Sequence, residues 1–151
     1  MNATSENQNV AVARAYFEAA HRDLDALLAL IDPDGAIHVP PSLPYGGVYR
    51  GHEGFRQAIA AYGRAWTDVE STDFEFFASG DTVVVVSRMR ARAVTSDRMI
   101  NMRVAELFRM KNGKVVEVWP FNYDTTAMVD VLSASTSQRQ IPTGDGPEAI
   151  A

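Results

Sequence analysis

The chain has 151 residues, a formal net charge of -5 and no cysteine. This length fits a single domain. The lack of cysteine excludes disulfides, thiol nucleophiles and cysteine-bound metals. No block of Lys or Arg is present to neutralise phosphates, so we expect no nucleic-acid partner. No apolar run approaches the ~20 residues that span a bilayer, and residues 1–8 lack a signal-peptide core. We therefore expect a cytoplasmic protein that does not bind membranes.

Apolar residues at helical spacing predict three helices in the first half of the chain, at residues 8–21, 24–31 and 52–66. A Pro/Gly turn at residues 32–35 is expected to end the second helix, because proline cannot continue the hydrogen-bond ladder. A short strand is predicted at residues 36–39, and it is followed by a Pro/Gly-rich loop at residues 40–51.

The second half predicts strands, because its apolar residues alternate with polar ones. These strands cover residues 68–78, 82–94, 99–110 and 115–121, and the Asn112-Gly113 pair predicts a hairpin turn. Asp124 is placed to cap a short helix that ends at Leu132. Polar composition predicts flexible segments at residues 1–8 and 133–151, with one domain at residues 9–132 between them.

Helices gathered on one face of an antiparallel sheet make an α+β domain. A curved sheet that wraps against a long helix leaves a concave space, and such a space is where a ligand pocket is expected.

This order of elements resembles the SnoaL-like branch of the nuclear-transport-factor-2-like superfamily. The segments that carry the resemblance are AVARAYFEAAHRDLDALLALI, LPYGGVYRGHEGF, VAELFRMKNGKVVEVWPF and NYDTTAM. The resemblance implies a cystatin-like α+β cone, in which a curved antiparallel sheet wraps around a long helix with two further N-terminal helices. It also implies a pocket inside the cone, no cofactor, and homodimers that form through the outer face of the sheet. The superfamily includes ketosteroid isomerases, polyketide cyclases, limonene epoxide hydrolases and scytalone dehydratase.

Glu106 is the first candidate catalytic residue, because it lies in a strand that is otherwise rich in apolar side chains. If Val104 and Phe108 face the pocket, Glu106 faces it too, because side chains alternate along a strand. A carboxyl group in an apolar cavity has a raised pKa, which suits an acid, a base or a neutral hydrogen-bond donor. With the opposite parity, Glu106 would face solvent or a dimer interface.

Tyr16 and His38 complete the candidate catalytic set. Tyr16 resembles the tyrosine of ketosteroid isomerases that donates to an oxyanion, and its alternative role is that of a half-buried amphipathic side chain. His38 suits a general base if its strand turns it inward, and it lies outside if Ile37 and Val39 are the inner pair. Val39 stands before Pro40, where the isomerases have their catalytic aspartate. Because valine accepts no proton, steroid isomerisation by that mechanism is not expected.

Aromatic side chains with a polar group, together with nearby apolar residues, are expected to bind the substrate. These candidates are Tyr45, Trp66, Met102, Phe108, Val118, Trp119 and Asn122. The loop that carries Tyr45 is either a gate over the pocket or a rigid turn. Arg88, Arg90 and Arg92 share one strand face, which we expect to be the outer one or a dimer interface, because burying three cations is costly. The alternative is a bulge that turns one of them inward beside Glu106.

No spacing of His21, His38 and His52 with carboxylates matches a metal site, so neither metal nor organic cofactor is expected. The first functional hypothesis is a cofactor-independent isomerase, cyclase, dehydratase or hydrolase that acts on a small apolar carbonyl, enol or epoxide compound. The second is a non-catalytic module that binds a small ligand. The third is a dimerisation protein whose pocket is filled by its own side chains.

Overall fold

The computed structural model describes residues 3–133, which fold as helices packed on one six-stranded sheet. The helices are α1 (Ala3–Ala19), α2 (Leu24–Ala29), α3 (Gly51–Ala65) and α4 (Thr125–Ser133). The strands are β1 (Ile31–Val39), β2 (Gly47–Arg50), β3 (Trp66–Ser79), β4 (Thr82–Ala93), β5 (Met99–Lys111) and β6 (Lys114–Asn122). The predicted α+β class is confirmed. The predicted C-terminal tail lies outside the described residues except for Ser133, which ends α4.

The strands are hydrogen-bonded in the order β2-β1-β6-β5-β4-β3, which leaves the sheet open at both edges. Every pair is antiparallel except β1 with β6, where strands from opposite ends of the chain run parallel. Along β4, alternate side chains from Val83 to Ala93 are buried. Because alternate residues of a strand point to opposite faces, this pattern defines an inner face toward the helices and an outer face away from them.

Helix α1 begins at Ala3, five residues before the predicted start. Its first turns hold the β3–β4 turn: the Gly80 amide donates to Glu6 Oε1 at 2.9 Å, and Asn9 Nδ2 donates to the Gly80 carbonyl at 3.3 Å. These contacts join residues more than 70 positions apart. The apolar pattern of the helix itself therefore could not indicate them.

Three predicted boundaries around β1 and α3 are corrected. Ile31 does not end a helix but begins β1, because it pairs with Val115; the register of β1 on β6 then shifts before Ala36. The predicted loop contains strand β2, which pairs with β1 in the register Ala36↔Arg50 to Val39↔Gly47. Trp66 opens β3 instead of ending α3. In each case the strand is defined by its pairing with another strand.

The arginines of β4 lie on the outer face, as expected. Arg90 pairs with Glu70 at 3.4 Å, and Arg92 pairs with Asp68 at 3.1 Å. Arg88 donates to Asn101 Oδ1 at 3.0 Å. These partners lie on the neighbouring strands or the turn that follows, so water and hydrogen bonds solvate all three cations and none enters the core.

The described residues contain no helix with the length and apolar character needed to cross a membrane.

Candidate active site

The inner face of the sheet and the helices enclose a cavity of about 480 Å³. This volume lies within the range of roughly 300–1,000 Å³ that is typical of small-molecule sites. The walls come from α1, α2, α3, β1, β3 to β6, α4 and the loop at residues 40–46. Most of the lining is apolar, and polar side chains such as Glu106 and Tyr45 also reach it. The cavity is therefore large enough for a ligand, which argues against the hypothesis of a pocket filled by its own side chains.

Glu106 projects from the middle of β5 into this cavity. Burial away from water raises the pKa of Glu106 to about 7, because the apolar surroundings disfavour the charged form. Within residues 3–133 no protein group hydrogen-bonds to its carboxyl. Among the same residues, no polar side-chain atom is both sealed from solvent and unpaired, so the carboxyl must be accessible through the cavity. The group is thus free to bind a ligand.

Tyr16 lies beside Glu106, on the last turns of α1. Its ring packs edge-on against Phe108, with centroids 4.9 Å apart, and Phe108 is two residues from Glu106 on the same face of β5. Burial raises the pKa of Tyr16, and the nearby Glu106 raises it further. The phenol therefore stays protonated at any physiological pH. It can donate a hydrogen bond to an oxygen that Glu106 also contacts.

Ser87 and Asn122 flank this carboxyl on the strands next to β5. Both pair with Val104 in the sheet register, whereas Glu106 lies two residues further along β5. Ser87 and Asn122 are therefore diagonal neighbours of Glu106 on the inner face, at roughly 7–8 Å between Cα atoms. Both line the cavity. They add hydroxyl and amide groups that can bind ligand oxygens.

A second cluster of polar side chains in the cavity lies at the loop that carries Tyr45. The Trp66 indole Nε1 donates to the Tyr45 hydroxyl oxygen at 2.7 Å, and the Tyr49 hydroxyl donates to the Tyr45 carbonyl at 2.7 Å. Burial raises the pKa of Tyr45 to about 12. Within the loop, the amides of Leu43 and Gly46 donate to the carbonyls of Pro40 and Leu43. These bonds favour a rigid turn over a gate.

Tyr62 of α3 lies near both polar clusters, the one at Glu106 and the one at Tyr45. Its ring meets the Tyr45 ring edge-on at 6.2 Å, and its hydroxyl donates to Met89 Sδ at 3.3 Å. Burial raises the pKa of Tyr62, and both Tyr45 and Glu106 raise it further. Tyr62 is thus close to both Tyr45 and Glu106.

His38 lies on the outer face of the sheet, not in the cavity. Its Nε2 is 3.0 Å from Glu117 Oε2, and its ring stacks on Trp119 with centroids 3.6 Å apart. Ile37 and Val39 are the inward pair and line the cavity. The hypothesis that His38 is a base in the pocket is therefore not supported by its position, because alternation along β1 directs it to the opposite face.

Of the seven predicted substrate-binding residues, Tyr45 and Asn122 line the cavity and the other five do not. Phe108 and Val118 point inward but are packed into the core beneath it. Met102 and Trp66 belong to a second core cluster. Trp119 is adjacent to Val118 on β6, so it must face outward, and 37% of it is exposed. Trp66 still acts on the site through its hydrogen bond to Tyr45.

Comparison with known families agrees with this architecture. The sequence model described as the SnoaL-like domain matches residues 12–118. The chain belongs to the SnoaL-like domain family. No curated protein matches the chain.

Solved structures similar to this SnoaL-like chain share its fold over most of their length. An NTF2-like protein from Burkholderia xenovorans is 23% identical with a TM-score of 0.78, covering 85% of this chain and 98% of its own. An NTF2-like protein of unknown function from Burkholderia pseudomallei is 27% identical with a TM-score of 0.77, covering 84% and 98%. A protein from Jannaschia named as a candidate SnoaL-like polyketide cyclase is 19% identical with a TM-score of 0.76, covering 89% and 98%.

The sequence interpretation missed several cavity residues of this SnoaL-like domain. Tyr62 continues the face of α3 formed by Phe55, Ala58 and Ile59, so helical spacing had placed it on the correct face without marking it as functional. Ser87 is a polar residue at an inward position of a valine-rich strand, which is the signal that could have identified it. His21 lies at the mouth, where its ring is 6.2 Å from Tyr62 and partial burial lowers its pKa.

Among residues 3–133, no group of three or more His, Cys, Asp or Glu side chains is arranged to hold a metal ion.

Proposed function

We propose that this SnoaL-like protein is an acid–base enzyme that isomerises or cyclises a small, largely apolar carbonyl compound. The observation that carries the proposal is the Glu106 carboxyl, which faces a largely apolar cavity, has no hydrogen-bond partner among residues 3–133 and has a pKa of about 7. A general acid or base works best when its pKa lies near the working pH. A polyketide cyclase name on a protein of the same fold supports the same class of reaction.

Glu106 and Tyr16 have different roles in the proposed reaction, because their pKa values differ. Because the pKa of Glu106 lies near neutrality, this carboxyl can both take up and release a proton. The pKa of Tyr16 is far above neutrality, so Tyr16 remains a donor throughout. The Glu106 carboxylate removes a proton from the carbon next to a carbonyl, and the electron pair moves onto the oxygen that Tyr16 holds. In cyclisation, the enolate carbon attacks a second carbonyl carbon of the same molecule, and the oxygen of that opened C=O bond takes the proton from Glu106. In isomerisation, another carbon of the conjugated enolate takes the proton back from Glu106.

The test is the variant Glu106→Gln, assayed on a panel of ketones, enols and epoxides. Glutamine keeps the size of the side chain but carries no transferable proton. We expect kcat/KM on the best substrate to fall about 100-fold or more, with an unchanged circular dichroism spectrum. Glu117→Gln is the matched control, because Glu117 lies on the outer face and pairs with His38. Full activity in Glu106→Gln would overturn the assignment.

Non-catalytic ligand binding is the second candidate, and the position of His38 favours it. With His38 on the outer face and Val39 in the cavity, Glu106 has no histidine or second carboxylate beside it on the inner face of β1. Tight binding of panel compounds without turnover of any of them would select this candidate over catalysis.

We also propose that the protein forms a homodimer through the outer face of the sheet. Exposed apolar side chains cross this face, and Phe77, Val84, Leu107 and Trp119 follow one another in the pairing register. Phe77 is 56% exposed and Phe121 54%. A two-fold dimer places such a patch against its own copy. The Arg103–Glu75 pair beside the patch is neutral and would not repel that copy.

We also propose the cytoplasmic location that the sequence predicts. Fractionation of cells that contain the protein tests this location.

A further inference from the structure

The Tyr45 hydroxyl has a hydrogen that no described protein group accepts. An indole N–H can only donate, so in the bond between Trp66 Nε1 and Tyr45 Oη the phenol oxygen is the acceptor. The phenol's own hydrogen must therefore point elsewhere. Among residues 3–133 it has no protein acceptor. Tyr45 lines the cavity, so the cavity is where this O–H can find a partner.

The neighbouring tyrosines differ from Tyr45 in this respect. The Tyr49 hydroxyl is used by the loop, because it donates to the Tyr45 carbonyl at 2.7 Å. The Tyr62 hydroxyl is used by Met89 Sδ at 3.3 Å. Tyr45 is thus held from two sides, at its backbone by Tyr49 and at its phenol oxygen by Trp66, while its hydrogen remains free. Such fixed donors recognise ligand oxygens without reorganisation.

The Tyr45 hydroxyl forms a different hydrogen-bonding site from the one that Glu106 and Tyr16 form. The charge of Glu106 reaches Tyr16 and Tyr62 and raises the pKa of each. Tyr16 belongs to one core cluster, whereas Tyr45 packs against the other one. Tyr62 lies in reach of both. The largely apolar cavity therefore has two polar sites, one at Glu106 and Tyr16 and the other at Tyr45, and Tyr62 lies near both.

We propose that Tyr45, positioned by Trp66, is a second hydrogen-bond donor of the cavity, and that the ligand carries two separated oxygen functions joined by an apolar body. The inference rests on the proposed function only in taking this cavity as the ligand site. One oxygen binds at Glu106 and Tyr16, and the other accepts the Tyr45 hydrogen. Trp66 is a positioning residue, because it acts through Tyr45 and lies outside the cavity lining.

The test uses symmetric diketones, so that either orientation presents an oxygen at both places. The probes are 1,4-diacetylbenzene and 2,6-diacetylnaphthalene, each compared with the analogue in which one acetyl group is replaced by an isopropenyl group of the same shape. Calorimetry measures the ratio of the two Kd values in the wild type and in Tyr45→Phe. We expect a diketone of at least one length to bind about 2- to 10-fold more tightly than its analogue in the wild type. In Tyr45→Phe the ratio should fall to no more than about two, the statistical advantage that a ligand with two equivalent ends keeps when one donor is lost.

Two further variants separate a donor from a structural support. Trp66→Phe keeps an aromatic ring but removes the N–H, so it should reduce the ratio. Tyr49→Phe removes the other bond that holds the loop, and it should preserve the ratio. Thermal melts of all variants verify folding. If Tyr49→Phe abolishes the ratio as fully as Tyr45→Phe does, loop position explains the effect and the inference is overturned.

The inference is also overturned if Tyr45→Phe leaves the wild-type ratio of the two Kd values unchanged. The same holds if neither diketone binds the wild type more tightly than its isopropenyl analogue. Neither result touches the acid–base proposal, which Glu106→Gln decides by activity. Absence of binding by every probe counts against both proposals, because both require a ligand in this cavity.

Discussion

Glu106 links the chemistry of the site to the stability of the fold. The pKa of Glu106 is about 7 in the folded protein, against an ordinary value of 4.5. Between these two pH values the folded state holds the proton more tightly than the unfolded state. The stabilising contribution of the protonated group is therefore complete below pH 4.5 and is lost as the pH rises through 7. This loss amounts to about 3 kcal/mol. The same burial that raises the pKa of Glu106 thus destabilises the protein above neutral pH.

We predict that Glu106→Gln changes the pH dependence of unfolding in a defined direction. Urea unfolding of the wild type and the variant at pH 5 and pH 8 gives two differences in the free energy of unfolding. The variant should gain about 3 kcal/mol on the wild type between these pH values, since glutamine never carries the buried charge. Equal differences at pH 5 and pH 8 would mean that Glu106 ionises as easily in the fold as in water.

For single residues, the sequence located Glu106, Tyr16 and Asn122, but it did not place His38 or most of the predicted substrate-binding residues. The alternation of β5 was sufficient to predict that Glu106 shares a face with Val104 and Phe108, and the structure places it there. His38 could not be placed, because Ile37 and Val39 alternate with Ala36 and His38 and either pair could have been buried. Val118 and Trp119 were both expected in the pocket, although adjacent residues of a strand point to opposite faces.

The loop at residues 40–46 shows how a connecting element shapes the cavity. Gly46 packs so closely on the start of the loop that an added Cβ would overlap the Pro40 carbonyl and lie 2.8 Å from Pro41 Cα. Both obstacles are backbone atoms, which cannot rotate away. The loop is therefore compact because position 46 has no side chain, and this compactness presents Tyr45 to the cavity.

We predict opposite effects for two Gly→Ala substitutions. Gly46→Ala should lower the free energy of unfolding by about 1–3 kcal/mol, because the backbone must move to accept the methyl group. Gly63→Ala is the control in helix α3, where an added Cβ meets nothing within 4 Å. It should raise stability by up to about 1 kcal/mol, since alanine loses less entropy in a helix. Urea unfolding measures both, and a destabilised Gly63→Ala would contradict this account.

The sequence predicted the long elements better than the short ones. The long strands β4 and β5 carry their own alternation, so they were found within a residue or two. Asp124 was correctly predicted as a cap: the Ala127 amide donates to Asp124 Oδ1 at 3.0 Å. Strand β2 was missed, because its four residues lie in a Pro/Gly-rich segment and become a strand only by pairing with β1.

For the whole molecule, the outer face of the sheet is the interface of the proposed dimer. We predict that Phe121→Glu converts the proposed dimer to a monomer, because a charge in the centre of an apolar interface cannot be solvated. Val94→Glu is the control, since Val94 has the same 54% exposure but lies outside the row of apolar residues on that face. Light scattering coupled to size-exclusion chromatography measures the mass. A wild-type monomer, or a Phe121→Glu dimer, would rule out this interface.

The parallel pairing of β1 with β6 has a consequence for how the protein is made. His38 and Glu117 meet across 79 positions of chain, and β1 with β2 reaches the rest of the sheet only through β6. A nascent polypeptide that has emerged no further than β5 has no strand to bridge its first hairpin to the rest of the sheet. The cavity can therefore be completed only after β6 has been synthesised, and closing so distant a contact is entropically slow.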